Sequence, residues 1–333
     1  MGEVRELLLA LKRDARAWWI DRRSMGTKRA VLRRLRYHAG TEWLGSQFEQ
    51  AQSRMAELER RVAVVENRQS ATPLSSGVLE QMVDEHRRQL QVRTVMDWVE
   101  HAAVRTTPLV SVVLPTRDRR ALLPRAIASV RCQTYPNWEL LIVDDGSVDD
   151  TPALLAGISD KRLRTFRAEG AGVCAARNIA LAHARGELIA YLDDDNIMHP
   201  AWLKAVVWAF EQRPEAHALY GAFVVDDTAR INQRGRGDLP RLYFYAYDHH
   251  AVAEANIADI GCIAHRAGLA EARFDESLRE MGDWDLFLRL TREMQPLALP
   301  AIACFYTTDA PNRLSNGPTF EADLAAVRTK NRR

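Results

Sequence analysis

Leu188-Ile189-Ala190-Tyr191-Leu192-Asp193-Asp194-Asp195-Asn196 constrains the chain more than any other stretch: an apolar run of strand length ends in three carboxylates and an amide. A buried unpaired charge is very costly, so these acids cannot lie in the core that the apolar run enters. They must stand at the carboxyl end of the strand and face a cleft, a metal or both. Side chains two apart on an extended chain share a face, which turns Asp193 and Asp195 together and Asp194 away. Two convergent carboxylates suit a hard cation, because magnesium and manganese take oxygen ligands. The same residues also fit an acidic turn and helix cap ahead of Pro200, and the segment alone does not choose.

The flanking chain narrows the choice. Leu109–Leu114 reads as a compact strand stopped by Pro115, and Arg119–Gln133 has helical spacing through Leu122, Leu123, Ile127 and Val130. Glu139–Val143 is a second strand, ending in Asp144-Asp145-Gly146-Ser147, and Asp149 or Asp150 can cap the helix that Thr151-Pro152 opens. Leu163–Phe166 is a third strand, and Gly170-Ala171-Gly172 precedes a helix from Val173 to Ala184 that Gly186 ends. A helix from Pro200 to Gln212 and a strand Ala218–Val225 follow. This alternation predicts an α/β fold with a mostly parallel central sheet. Ligands of such sheets bind beyond the carboxyl ends of the strands, where Pro115-Thr116, Asp144-Asp145 and Asp193–Asp195 all fall.

The first hundred residues are different in kind. Residues 1–40 carry eleven Lys/Arg against four acids, although the 333-residue chain has a net charge of only +2. Val4 to Ile20 places Leu7, Leu8, Leu11, Ala15, Trp18 and Trp19 at helical steps among these cations, and a second basic helix can span Lys28–His38. Such helices pack on their own protein or lie peripherally on an anionic membrane surface. No nucleic-acid-binding module accompanies the charge, so no nucleic acid is expected as a partner. Leu44, Phe48, Ala51, Met55, Leu58, Val62 and Val65 follow heptad spacing; a short coiled coil over 44–65 would make a homo-oligomer, and an ordinary packed helix fits equally. Ser70–Gly77 is the clearest linker, and a helix from Val78 to His101 leads to Thr106-Thr107-Pro108.

Cys132, Cys174, Cys262 and Cys304 are widely spaced, which suits small core residues in a reducing compartment. No stretch reaches the roughly 18 apolar residues of a membrane span, and the charged N-terminus lacks the apolar core of a signal peptide. The expected location is cytoplasmic, peripheral at a membrane surface if the basic helices bind one.

The ordered set Val110-Ser111-Val112-Val113-Leu114-Pro115-Thr116-Arg117-Asp118-Arg119, Ala126-Ile127-Ala128-Ser129-Val130, Gln133-Thr134-Tyr135, Glu139–Ser147, Gly172-Val173-Cys174-Ala175-Ala176-Arg177-Asn178, Gly186-Glu187 and Leu192–Asp195 strongly resembles the nucleotide-binding half of family 2 glycosyltransferases. The resemblance runs from about Leu109 to Cys304 and implies the GT-A fold, a nucleotide-binding sandwich fused to an acceptor-binding portion. It implies three regions: the helical 1–105, a nucleotide-sugar-binding half over 106–225, and an acceptor-binding, catalytic half with a C-terminal helix over 226–333.

By the same resemblance, Asp193-Asp194-Asp195 is the DXD-type motif, with Asp195 the main ligand of Mn²⁺ or Mg²⁺ and Asp193 on the ribose or the metal. Asp145 reads the N3–H of a uracil or thymine ring of a UDP- or dTDP-sugar. Pro115 and Thr116 border the base and ribose, Asp118 and Asp194 flank the nucleotide, and Arg177 meets a phosphate. In Glu280-Met281-Gly282-Asp283-Trp284-Asp285, Asp283 matches the catalytic carboxylate that takes the acceptor's proton; Asp285 is its rival. Trp284 either stacks on a sugar or anchors its helix. The chain departs from the pattern at Arg117-Asp118, where an aromatic-Asn pair is common, at Asn196 in place of a fourth acid, at Gly282 in place of Glu, and at Tyr306-Thr307-Thr308-Asp309, which lacks a late His. His249, His250 and His265 are loose candidates for that role. The expected activity is metal-dependent, inverting transfer of a sugar to an acceptor hydroxyl. The acceptor (a saccharide, lipid carrier, peptide or small metabolite) would meet residues 226–260, which include Tyr243, Tyr245 and Tyr247. The alternative is an inactive scaffold acting through its helical arm; nucleotidyl transfer is disfavoured because the chain lacks a Gly- and Lys/Arg-rich phosphate loop.

Overall fold

The structure, a computed structural model, describes residues 76–226, 241–307 and 319–331. The chain divides into two compact units, residues 1–73 and 74–333, and the described residues all belong to the second. The basic helices, the heptad stretch and residues 70–75 of the expected linker lie outside the described residues. Helix α1 (Ser76–His101) begins inside that expected linker, two residues ahead of Val78.

Strand β1 (Val110–Thr116) is buried at every position, as is β2 (Trp138–Asp145), and the two run parallel in register from Val110↔Trp138 to Thr116↔Asp144. Strands covered on both faces read as unbroken apolar runs, which is why both were visible in the sequence. β1 does not stop at Pro115. Val113 turns its carbonyl toward β4 (Leu188–Tyr191), accepting from Leu192 N at 3.0 Å, and Pro115, two residues on, faces the same way. The β1–β4 ladder ends at Val113↔Tyr191, so the missing proline N–H costs no bond. β3 (Leu163–Ala168) adds to β2 in parallel.

Helix α2 (Leu123–Arg131) starts four residues later than its apolar spacing suggested. Pro124 has no N–H to give a helix interior and serves in the first turn instead. Helix α3 (Thr151–Ala156) also opens on a proline. α4 (Val173–His183) follows Gly172, whose φ of 102° only glycine adopts freely, and packs on β1, β2 and β3.

Beyond β4 the sheet changes character. β5 (Ile197–Met198), α5 (Trp202–Gln212), β6 (Ala218–Asp226), β7 (Arg241–Tyr243), α6 (His249–Glu254), a 3₁₀ turn Ile260–Cys262, β8 (Ile263–Arg266), a second 3₁₀ turn Ala270–Ala272, α7 (Gly282–Leu290), β9 (Leu297–Thr307) and α8 (Phe320–Asn331) follow in order. The strand order is β3-β2-β1-β4-β8-β6-β9-β5, with β7 on β6. β8 enters antiparallel between β4 and β6, so one sheet carries residues from both ends of the described chain. α1 packs on β9 and α5, and Lys204 Nζ donates to Glu100 O at 2.7 Å. The largest side chains with almost no exposure, Trp138, Trp202 and Trp284, fill the core around this sheet. Among the described residues no helix is long and apolar enough to cross a membrane.

One close approach fixes how β4 begins. A Cβ on Gly186 would lie 2.6 Å from both Leu109 O and Ser111 N. The bare glycine lets its N–H reach Ser111 Oγ at 2.9 Å, and Ser111 in turn donates to Glu139 at 2.7 Å. The buried Glu139 is completed by Arg164 at 3.1 Å, so this charge in the sheet is paired.

Candidate active site

The carboxyl ends of β2, β1 and β4 lie side by side, and each delivers a polar residue to one mouth. At the end of β2, Asp144 accepts Ser147 N at 2.9 Å and pairs with Arg167, closing the turn at Gly146. Gly146 has a φ of 75°, and a Cβ there would meet Gly170 N at 2.9 Å, so the turn is pressed against the 170–172 loop. Asp145 is thereby aimed at that loop. Its Oδ2 accepts Gly172 N at 3.0 Å, while its buried Oδ1 has no hydrogen-bond partner among the described residues. Arg117 stands close by, with Nη1 3.9 Å from Asp145 Oδ2.

At the end of β1, the hydroxyl of buried Thr116 donates to Asp194 Oδ2 at 2.7 Å, and Arg119 lies 3.7 Å from the other oxygen. Asp194 therefore points inward and ties β4 to β1, while burial, with Asp195 and Asp193 adding to it, pushes its carboxyl pKa up to about 7. Asp118, at a left-handed φ of 52°, spends Oδ1 on Val148 N at 2.7 Å and Asp149 N at 3.3 Å, and its own N–H goes to Ser147 Oγ. Asp118 and Asp194 thus hold the mouth in shape.

After β4 the chain turns instead of staying extended as the spacing argument assumed, with Asn196 N donating to Asp193 O at 3.1 Å; Asp193 and Asp195 are half-buried and Asp194 is buried. Asp193 accepts Arg177 Nη2 at 2.7 Å; Arg177 is 6% exposed and lies over the Phe274 ring. Burial works against the Arg177 charge, but Asp193 outweighs it, so the guanidinium is held protonated. The Asp195 backbone is held by Arg125, which donates to Asp195 O at 2.8 Å and to Thr307 Oγ1 at 2.9 Å. Asn196 Oδ1 accepts Thr307 N at 3.0 Å. These bonds tie the turn that carries the acids to Thr307, which stands in the segment where a late histidine was sought.

The opposite wall comes from α7 and the residues around Asn256. Asp283 Oδ1 accepts Trp284 N at 2.8 Å and Oδ2 accepts Asn256 Nδ2 at 3.1 Å. Burial raises the Asp283 pKa above the usual carboxylate range; Arg177 opposes this and Asp193 adds to it, which brings Asp283 into the field of the β4 acids. The rival Asp285 is fully buried and committed: Oδ2 accepts Arg289 Nε at 2.8 Å, and Oδ1 pairs with Lys330 at 3.0 Å. Trp284 is an anchor, 1% exposed, with Nε1 donating to Val252 O at 2.7 Å. Glycine at 282 also has a cause, since a Cβ there would come within 2.3 Å of Cys174 Sγ.

Asp259 is a member of this group that sequence reasoning missed. Burial raises its carboxyl well above the ordinary range, and Asp193, Asp283 and Asp195 raise it further. Four carboxylates facing one buried arginine leave an excess of negative charge, and the carboxylate oxygens of the half-buried Asp193 and Asp195 are the hard donors that a magnesium or manganese ion takes. The donor set therefore fits such an ion. Nothing local marked Asn256 or Asp259; they lie in a stretch without a motif.

His265 does not belong to the site. Its Nδ1 lies 2.7 Å from Arg266 O, which can only accept, so Nδ1 carries the proton and Nε2 accepts the Tyr191 hydroxyl at 2.7 Å. Both ring nitrogens are used, which removes it as a ligand; His249 and His250 are exposed at the start of α6. Burial pushes the His265 imidazole down to about 4, against about 6.5 in an unfolded chain. The unfolded state therefore binds this proton first, and stability that is whole above about pH 6.5 is lost as pH falls toward 4, in total about 3 kcal/mol. Urea unfolding across this range checks it: His265→Gln should lack that component of the wild-type curve.

A protein-family model described as Glycosyl transferase family 2 matches residues 111–272. WcaA of Escherichia coli K12, named as a glycosyl transferase of colanic acid biosynthesis, is 32% identical over 194 residues, covering 57% of this chain and 68% of WcaA. WfgD of Escherichia coli, named a UDP-Glc:alpha-D-GlcNAc-diphosphoundecaprenol beta-1,3-glucosyltransferase, is 43% identical over 90 residues, 27% of this chain but only 36% of WfgD. Among solved structures, Staphylococcus aureus TarS 1–349 in complex with UDP-GlcNAc aligns with a TM-score of 0.53 at 19% identity, covering 66% of this chain and 65% of that one. At that identity the likeness to TarS is one of fold.

Proposed function

This chain belongs to glycosyltransferase family 2, and from that premise we propose that it moves a sugar from a UDP- or dTDP-sugar to an acceptor hydroxyl by a single inverting displacement. The observation that carries the donor reading is the unpartnered Asp145 Oδ1. Gly172 N–H already occupies the other carboxylate oxygen, so one acceptor is left. A pyrimidine imide offers one N–H between two carbonyls and fits it; guanine, which offers two adjacent N–H groups, would want both oxygens. TarS, whose structure holds UDP-GlcNAc, is consistent with this choice.

Asp193 and Asp195 would hold the divalent cation, which when bound offsets the charge that gathers on the leaving diphosphate. Arg177 acts through Asp193, fixing its rotamer and balancing its charge. Asp283 takes the acceptor's proton: Trp284 N–H and Asn256 hold it in one orientation, and its raised pKa suits a base working nearer neutral pH. Asp285, already paired with Arg289 and Lys330, has no capacity for that role. The names of WcaA and WfgD make a lipid-linked saccharide the acceptor to test first. We place the protein in the cytoplasm, at or near the membrane surface where such acceptors are found.

The reading is tested at Asp145. In Asp145→Asn, Gly172 N–H keeps the amide oxygen on its side, and the NH₂ falls where Oδ1 was. An acceptor becomes a donor, which opposes an imide N–H and suits the bare N3 of cytosine. UDP binding by calorimetry should weaken by about 10- to 100-fold, the loss of one charge-assisted bond, while CDP gains relative to UDP. Equal UDP affinity in the variant would overturn the base assignment.

A further inference from the structure

The acid that the sequence did not reveal also faces two thiols. Cys262 ends the 3₁₀ turn ahead of β8, and Cys304 lies on β9 in register with Met198 of β5 and Phe223 of β6. One ligand atom each from Asp259, Cys262 and Cys304 lie within 4.8 Å of one another, from segments more than forty residues apart in sequence. Both thiols are fully buried, and Asp259 is half-buried, so the approach runs past the carboxylate. The backbone is shaped for this contact. Gly261 N donates to Asp259 Oδ1 at 2.9 Å, which orients the carboxylate, and a Cβ on Gly261 would lie 3.1 Å from Cys304 Sγ and 3.0 Å from that same oxygen.

We propose that Asp259, Cys262 and Cys304 form a second cation site, distinct from Asp193 and Asp195, that takes a soft divalent ion such as zinc. The donor chemistry makes the distinction. Thiolate sulfur selects zinc and its congeners, whereas a pair of carboxylates with water and phosphate suits magnesium or manganese. Two sulfurs and one carboxylate oxygen are three of the four ligands of tetrahedral zinc, leaving the fourth position to water. The surroundings favour a cation: Asp193, Asp195 and Asp283 all press on Asp259, and the cluster itself has no positively charged member. Binding would exchange protons for metal. Each thiol, and the Asp259 carboxyl where it is protonated, gives its proton to solvent as it joins the ion, so up to three protons leave per ion, with no change of oxidation state. The proposal does not depend on the transferase reading, because it concerns binding without donor or acceptor.

The test uses the full-length protein, stripped with a chelator and kept reduced, with Cd²⁺ added as the spectroscopic stand-in for zinc. We expect an ultraviolet sulfur-to-cadmium charge-transfer band that saturates at one ion per chain and persists in excess Mn²⁺. The band should survive in Cys132→Ser, whose thiol is exposed, vanish in Cys262→Ser and in Cys304→Ser, and need about tenfold more Cd²⁺ in Asp259→Asn. Should a serine variant fail to fold, alkylation of the wild type decides: cadmium is expected to protect Cys262 and Cys304 and to leave Cys132 reactive. No band, a band kept without Cys262 and Cys304, or a Cys262–Cys304 disulfide that forms in place of metal uptake would overturn the proposal.

Discussion

Asp283→Asn is expected to lower glycosyl transfer by about a thousandfold while leaving UDP affinity where it was. The amide is the same size and can still accept Trp284 N–H, so α7 keeps its first turn; what is lost is the capacity to take a proton, worth about 10² to 10⁴ in rate. The wild-type pH profile carries the sign. The carboxylate must be ionised to act, and burial holds its pKa above the usual range, so activity should begin to fall, on acidification, at a higher pH than an ordinary aspartate would give. That acidic limb should be absent from the residual activity of the variant. A variant that transfers sugar at the wild-type rate would move the base elsewhere, and Asp259 would be the next residue to test.

Asp323→Ala should be nearly as damaging, although Asp323 contacts no reactant. Its buried carboxylate, in the first turn of α8, accepts Arg279 N and Glu280 N at 2.7 Å each. Glu280 Oε1 in turn takes the Thr319 hydroxyl at 2.6 Å, and Lys330 at the far end of α8 reaches Asp275 at 2.8 Å and Asp285 at 3.0 Å. The C-terminal helix thus holds the segment that presents Asp283. Removing Asp323 strands two backbone N–H groups and should cost about 2–5 kcal/mol by denaturant unfolding. Loosening the base by about an ångström can lower turnover by about 10²-fold. The expected pattern is a fall in kcat with unchanged UDP affinity and an acidic limb still present, and Asp323→Asn, which retains one acceptor oxygen, should recover most of it. Asp323→Ala with full turnover would show that α8 does not position the base.

The strands that build the mouth could be read from the chain because central parallel strands leave no polar face. Val112–Leu114 and Leu140–Val143 are continuous apolar runs, and acids can follow such runs only where they emerge from the core. β8 escaped notice for the opposite reason: it is four residues long, follows a 3₁₀ turn, and its polar His265 is satisfied by Tyr191 across the sheet. The choice between Asp283 and Asp285 stayed open in sequence because both stand in the first turn of one helix. It turns on Lys330, forty-five residues later, which claims Asp285. Asp259 and Asp323 carry no local signature, since what each one touches is fixed by folding and not by spacing. Gly282 looked like a defect in the family pattern, and only the neighbouring Cys174 explains it.

β8 has a further meaning for how such a chain can be altered. It weaves late residues against the flank of the strand that bears the acids, so severing the polypeptide near residue 226 would bare a row of backbone groups on β4 that recruits foreign strands. Exchanging whole halves between relatives would therefore produce aggregates and not hybrids. New specificities can be grafted only through the loops at the rim, with the weave left uncut.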